Sequence, residues 1–212
     1  MPAARLSREM RMICEGAAVI PAITVDRVED AVPLARALSA GGLNVIEIML
    51  RNEAALGVIG AIGAQVPEAV VGAGTLLTAA DVEAAREAGT RFLVSPGATL
   101  ALLEAAVAAG LPLLPGAATA SEAMALANRG WTMLKFFPAE ASGGAPALGA
   151  FAAPLPHIAW CPTGGVGPKN AATYRALPNV ACVGGSWPAP ADAIAAGDWP
   201  RIEALAREAA GR

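Results

Sequence analysis

Eight short apolar runs, each separated from the next by an intervening stretch that is mostly alanine-rich, constrain this 212-residue chain more than any other feature. The runs fall at 19–25, 45–50, 69–73, 91–95, 112–114, 133–137, 158–161 and 180–183. Helix-forming segments occupy 31–38, 53–64, 79–88, 100–109, 121–128 and 169–176, and a last helix spans 189–210. Gly41-Gly42 is a clear C-terminal stop signal. Nearly continuous apolar strands that alternate with helices belong to a parallel sheet covered by those helices. Eight such units, roughly 20–25 residues apart, predict an α/β (β/α)8 TIM barrel, a single domain over 1–212. An extra N-terminal helix is expected over 1–16, with Leu6, Met10 and Ile13 at helical spacing. An open doubly wound sheet is the alternative, but the first strand lacks the G-x-G-x-x-G that such a sheet uses.

In a barrel of this kind, chemistry sits where strands end at their C-terminal side. Those ends are polar or glycine-rich here: Glu47 to Arg51, GAGT closing on Thr75, Ser95-Pro96-Gly97, Lys135 to Pro138, Pro162-Thr163-Gly164-Gly165, and Gly184-Gly185-Ser186. Period two along the second strand puts Glu47, Met49 and Arg51 on one face, opposite Ile46, Ile48 and Leu50. The aliphatic face meets the helices, so the Glu/Arg face points inward. The same alternation turns Met133, Lys135 and Phe137 inward, with Leu134 and Phe136 outward.

Lys135 is the residue that needs explaining. It is one of two lysines in the chain, and the other, Lys169, lies in a polar turn. Its stem either snorkels to an edge or its amine is held in a low-dielectric site. An unperturbed lysine titrates near about 10.4, so little neutral amine exists at pH 7. Burial and a neighbouring guanidinium raise that fraction, while an ionised Glu47 opposes it. A neutral amine attacks a ketone to give an iminium, an electron sink for cleavage of the next C–C bond. Glu47 is then the proton carrier. The competing expectation is a buried network of Lys135, Glu47 and Arg51 that only fills the interior.

Two glycine pairs follow the last two strands, Gly164-Gly165 and Gly184-Gly185. Adjacent glycines let backbone N–H groups gather round an anion, and barrels often hold phosphate between these two loops.

Composition removes other classes. A net charge of −3 and the absence of a Lys/Arg run give no footprint for nucleic acid or a membrane surface. No apolar run is long enough to span a bilayer, and the N-terminus lacks the apolar core of a signal peptide. Three cysteines without metal-ligand spacing read as free thiols of the cytoplasm. His157 is the only histidine, set in a proline-rich loop, so a histidine metal site or a Ser-His-Asp triad lacks its parts. Neither a metal nor a cofactor is expected.

The segments AVPLARALSAGGLNVIEIMLR, VVGAGTLL, SPG, KFFPAE, CPTGGV and VGGSW occur here in the order and spacing of a known family. With them the chain resembles the 2-keto-3-deoxy-6-phosphogluconate aldolases, metal-free Schiff-base enzymes on a (β/α)8 barrel. The resemblance runs nearly end to end and is weakest in the first and last helices. It implies Lys135 as the Schiff-base lysine and Glu47 as the proton-transferring glutamate. It places Arg51 and Thr75 at the pyruvate carboxylate, Pro96 and Phe137 on the pocket wall, and Thr163 where substrate stereochemistry is discriminated. Gly164, Gly165 and Ser186, with Gly185 of the same turn, match the phosphate site. Ser142-Gly143-Gly144 replaces the Asn-Gly-Gly common in that loop.

The implied reaction is reversible cleavage of 2-keto-3-deoxy-6-phosphogluconate to pyruvate and D-glyceraldehyde 3-phosphate, a step of the Entner–Doudoroff route, by a cytoplasmic homotrimer. The galactonate epimer or 4-hydroxy-2-oxoglutarate is the alternative substrate. A phosphosugar isomerase or epimerase, or a non-catalytic sugar-phosphate-binding barrel, are the readings from other classes.

Overall fold

The computed structural model describes residues 2–211 and begins with a helix, α1 (Pro2–Glu15), that caps the floor of the sheet. Its buried face is Ala3, Leu6, Ser7, Met10 and Cys14. Ile13, expected on that face, is only partly buried, because the apolar stripe turns toward Cys14 instead. The strands are β1 (Val19–Ile23), β2 (Val45–Met49), β3 (Val70–Gly74), β4 (Phe92–Val94), β5 (Leu113–Leu114), β6 (Gly116–Ala117), β7 (Met133–Phe136), β8 (Ala159–Pro162) and β9 (Val183–Gly185). After α1 come α2 (Ala31–Ala40), α3 (Ala55–Gln65), α4 (Ala79–Glu87), α5 (Leu100–Ala109) and α6 (Ala120–Ala127). Then follow α7 (Gly144–Ala150), α8 (Ala171–Arg175), α9 (Ala191–Ala196) and α10 (Trp199–Ala210).

Every strand pair is parallel, which gives an α/β fold. One ladder runs β5-β4-β3-β2-β1-β9 and forms half of a barrel wall; a second runs β6-β7-β8. Pro115 separates β5 from β6: it has no N–H to give a ladder, although its carbonyl still accepts from Lys135 N at 2.9 Å. The run expected to stop at residue 114 therefore continues to Ala117. Two isolated parallel bridges, Trp160 to Val180 and Thr163 to Gly184, join β8 to the β9 side.

Alternation sorts the core into two clusters. Outward residues such as Ile46, Ile48, Leu134 and Trp160 pack against the helices. Inward residues, Ile20, Val45, Phe92, Val94, Leu114, Met133 and Ala159, meet Met10 and Cys14 of α1 on the floor. Cys161 and Cys182 join Cys14 there, so the three thiols, far apart in sequence, converge; all are free. Ser7 ties this floor to β7 by accepting from Thr132 N at 2.9 Å and Met133 N at 3.1 Å.

Three further sequence expectations need correction. The single last helix is two, because Gly197 (φ 65°) ends α9 and Asp198 caps α10 at Arg201 N with a proline in the first turn. The last strand is Val183–Gly185 and not 180–183, so the glycine pair 184–185 belongs to the strand itself. The helix α7 follows β7 in a stretch where no helical segment was placed, although one was expected after each strand; its Gly144, Pro146 and Gly149 all depress helix propensity. No helix among the described residues is long and apolar enough to cross a membrane.

Candidate active site

Lys135 enters the site from β7, in register with Gly116 on one side and Cys161 on the other. Its side chain is inward and the residue is only 6 % exposed. Glu47, 3 % exposed, comes from β2 and accepts from Lys135 Nζ at 3.4 Å. The Phe137 ring centroid is 5.3 Å from the same nitrogen. A tight charge-assisted N–H···O contact is about 2.7–2.9 Å, so this pair is loose. Two buried charges are costly to desolvate, and one loose contact offsets that poorly. The arrangement suits an amine that must leave its partner to react.

Glu47 fits only because position 74 is glycine. A Cβ on Gly74 meets the Glu47 side chain, at 2.6 Å from Cγ and 2.7 Å from Cδ. Gly74 stands in the GAGT run, but nothing in the spacing of that run signals what lies opposite it. We expect Gly74→Ala to push Glu47 away from Lys135 and lower kcat by about 100-fold, since a displacement near 1 Å is enough for that. The overpacking should also cost about 1–3 kcal/mol in a denaturation experiment. Wild-type kcat in this variant rules out the steric argument.

Arg51 departs from expectation. Strand alternation ends at Met49, and a tight turn follows in which Arg51 N donates to Met49 O at 2.8 Å. Arg51 is therefore exposed at the mouth, where it lines the cavity above Lys135, and it does not join the buried pair. The three-charge interior network does not form. Thr75, also on the cavity wall, has φ 65° and is the one non-glycine residue with positive φ among those described. A β-branched residue held in the left-handed region is strained, and such strain gathers at functional sites.

Pro96, Phe137, Thr163, Gly164, Gly165, Gly185 and Ser186 line the same cavity. The structure thus brings every sequence-predicted site residue to one place, with Glu47 reaching it through Lys135 and not as a wall. Ala22, Met49 and Val166 complete the lining; of these only Met49 was signalled, by its place on the inward face. Thr163 has room because Gly184 opposite it carries no Cβ, which would strike Thr163 Oγ1. Gly164 and Gly165 have φ 97° and 79°, so both positions favour glycine.

Cys161 lies beside Lys135 on the neighbouring strand, with Sγ 3.8 Å from Thr163 Oγ1. Contact with Cys182 and full burial hold its thiol well above the usual range. A protonated thiol is a poor nucleophile, which leaves the amine as the reactive group of the cavity. His157 sits exposed in a turn at the opposite end of β8, and Lys169 lies in a turn outside the cavity. Among the described residues, no group of three or more His, Cys, Asp or Glu side chains is placed to hold a metal ion.

Comparison with known proteins gives a consistent result. The model of the family "KDPG and KHG aldolase" matches residues 10–205. The 2-dehydro-3-deoxy-phosphogluconate aldolase of Pseudoalteromonas atlantica is 51% identical over 191 residues, 90% of this chain and 89% of its own. The KDPG aldolase of Legionella pneumophila, solved with pyruvate captured as a covalent carbinolamine intermediate, superposes with a TM-score of 0.91 at 40% identity. That match covers 99% of this chain and 98% of the other. The Zymomonas mobilis ZM4 2-keto-3-deoxy-6-phosphogluconate aldolase, solved with 3-phosphoglycerate, gives 0.90 at 45% identity over 96% and 95% of the two chains.

Proposed function

The chain belongs to the KDPG and KHG aldolase family, and from that premise we propose that it reversibly cleaves 2-keto-3-deoxy-6-phosphogluconate to pyruvate and D-glyceraldehyde 3-phosphate. It is a carbon–carbon lyase. The observation that carries the reading is the buried Lys135–Glu47 pair, 3.4 Å apart beside the cavity.

Lys135 Nζ adds to the C2 ketone, and loss of water from the carbinolamine gives the iminium. The carbinolamine of the Legionella pneumophila relative supports that first step. Glu47 takes the proton of the C4 hydroxyl; its oxygen electrons form the aldehyde, and the C3–C4 pair moves into the iminium to give an enamine. Glyceraldehyde 3-phosphate leaves. Glu47, now a carboxylic acid, returns the proton to C3, and water releases pyruvate from the lysine. Protons balance and no redox step occurs.

Arg51 and Thr75 hold the keto-acid carboxylate at the mouth, with Pro96 and Phe137 as apolar walls. Thr163, next to the reacting carbons, discriminates the C4 epimers. Gly164, Gly165, Gly185 and Ser186 take the distal phosphate, as a pair of backbone-rich turns can. The same lysine and glutamate serve 4-hydroxy-2-oxoglutarate or the galactonate epimer, which differ only at the Thr163 and glycine end.

The two ladders are read as one closed (β/α)8 barrel in a single domain, because residues 113–117 run through both and two bridges link β8 to β9. A homotrimer is the proposed assembly; the exposed apolar side chains Leu77, Leu100 and Met124 are candidate contacts for it, and sedimentation velocity tests it. Three free thiols favour the reducing cytoplasm, and the reaction assigned is the Entner–Doudoroff aldol step.

Borohydride added with pyruvate should reduce the imine to a stable adduct on the peptide that carries Lys135. An unmodified Lys135, with pyruvate still released from substrate, removes the mechanism.

A further inference from the structure

Glu140, the last residue of the KFFPAE run, is not a wall of the cavity, yet it packs directly behind one. A Cβ on Gly165 would meet Glu140 Cγ at 2.6 Å and Cβ at 2.7 Å. Tyr174, fully buried on α8, donates its hydroxyl to Glu140 Oε1 from 34 residues away. Gly144 closes a third side, since a Cβ there would lie 3.4 Å from the same Oε1 and 3.7 Å from the Tyr174 oxygen.

The backbone repeats the pattern. Ala139 N donates to Thr163 O at 2.8 Å, and Glu140 N to Gly164 O at 3.0 Å. Asn170 Nδ2 donates to Gly165 O at 3.1 Å. Three successive carbonyls of the turn are thus engaged from behind. The N–H groups of Gly165 and Val166 have no acceptor among the described residues, and both residues line the cavity.

We propose that Glu140, clamped by Tyr174, is a positioning residue that fixes the Gly164–Gly165 turn in the shape that receives a phosphate. Preference for a phosphorylated 2-keto acid is then set from behind the turn. This rests on the reading of that turn as the phosphate site. A loose carboxylate here would repel the ligand; Glu140 is exposed, and the bond from the buried Tyr174 hydroxyl is what holds its Oε1 in place. Burial first, and then the Glu140 acceptor, hold the Tyr174 phenol above its usual range, so its proton stays in the bond.

The test compares 2-keto-3-deoxy-6-phosphogluconate with its unphosphorylated counterpart, 2-keto-3-deoxygluconate, in wild type and in Glu140→Ala, Glu140→Gln, Tyr174→Phe and Gly165→Ala. Glu140→Ala should raise KM for the phosphorylated acid about tenfold, with kcat within about threefold and kcat/KM for the unphosphorylated acid within about twofold. Glu140→Gln keeps an acceptor for Tyr174 and should recover most of the loss. If Glu140→Ala does not fold, Tyr174→Phe carries the same selective change at about threefold. Equal losses on both substrates, or no change, overturn the positioning role. If Gly165→Ala is selective and Glu140→Ala is not, that role alone falls. If wild type shows no preference and Gly165→Ala is unselective, the phosphate reading falls and takes the proposal with it.

Discussion

Lys135→Arg should abolish aldol cleavage, lowering kcat by ~10⁴-fold or more while the protein stays folded. Arginine keeps a positive charge beside Glu47 and a long apolar stem, so the buried pair survives. What it lacks is a deprotonated amine: guanidinium stays charged at any working pH and does not form an iminium. No other amine or thiol lines the cavity to replace the lost nucleophile, because Lys169 and Cys161 both lie outside it and the Cys161 thiol is held protonated. The measurement is pyruvate release in a coupled dehydrogenase assay, with thermal unfolding run alongside. The same variant separates reaction classes. An isomerase or epimerase on this scaffold needs a base but no imine, so it would retain most of its activity. A tenth of wild-type activity or more in Lys135→Arg sinks the Schiff-base assignment.

How much of this was legible without coordinates depends on whether the signal was local. Strand alternation is local, and it put Glu47 and Lys135 inward correctly, from runs in which one polar residue interrupts aliphatic neighbours. Arg51 obeyed the same arithmetic on paper but not in space. The strand ends at Met49, and a one-residue turn spends the next step of alternation before Arg51 is reached. The β9 register slipped for a related reason: Val180 to Val183 looks like the apolar core of a strand, while the ladder with β1 runs through Gly184 and Gly185. Gly197-Asp198 carried a readable stop and cap, and the length of the apolar pattern overrode it. Contacts between distant residues were out of reach. Neither the meeting of Cys14, Cys161 and Cys182 nor the Tyr174–Glu140 bond leaves a trace in spacing, because each depends on how the ladder closes. The space glycines leave is of the same kind: Gly74 and Gly184 matter for what stands opposite them.

Glu47→Gln tests the proton half of the mechanism, and its expected loss is about 10²–10³-fold in kcat, the range for a positioned acid–base group. Glutamine matches the carboxylate in shape, so Gly74 still accommodates it and its amide oxygen can still accept from Lys135 Nζ. It cannot carry a proton between the C4 hydroxyl and C3. Exchange of the pyruvate methyl hydrogens in deuterated water isolates that function, because it needs the imine and the base but no phosphate end. Exchange should fall by the same factor in Glu47→Gln and vanish in Lys135→Arg. Stability supplies an independent reading. Removing the carboxylate charge leaves a buried ammonium without its counter-ion, a loss of about 3 kcal/mol. In a chain of this size that lowers the unfolding temperature by roughly 6–12 °C. A variant that exchanges pyruvate hydrogens at the wild-type rate would show that another group, or water, moves the proton. A variant that loses exchange but keeps its unfolding temperature would show that Glu47 serves the reaction without holding the amine in place. Glu47 is both the proposed proton carrier and the one ion-pair partner of Lys135 among the described residues, so both readouts should change together.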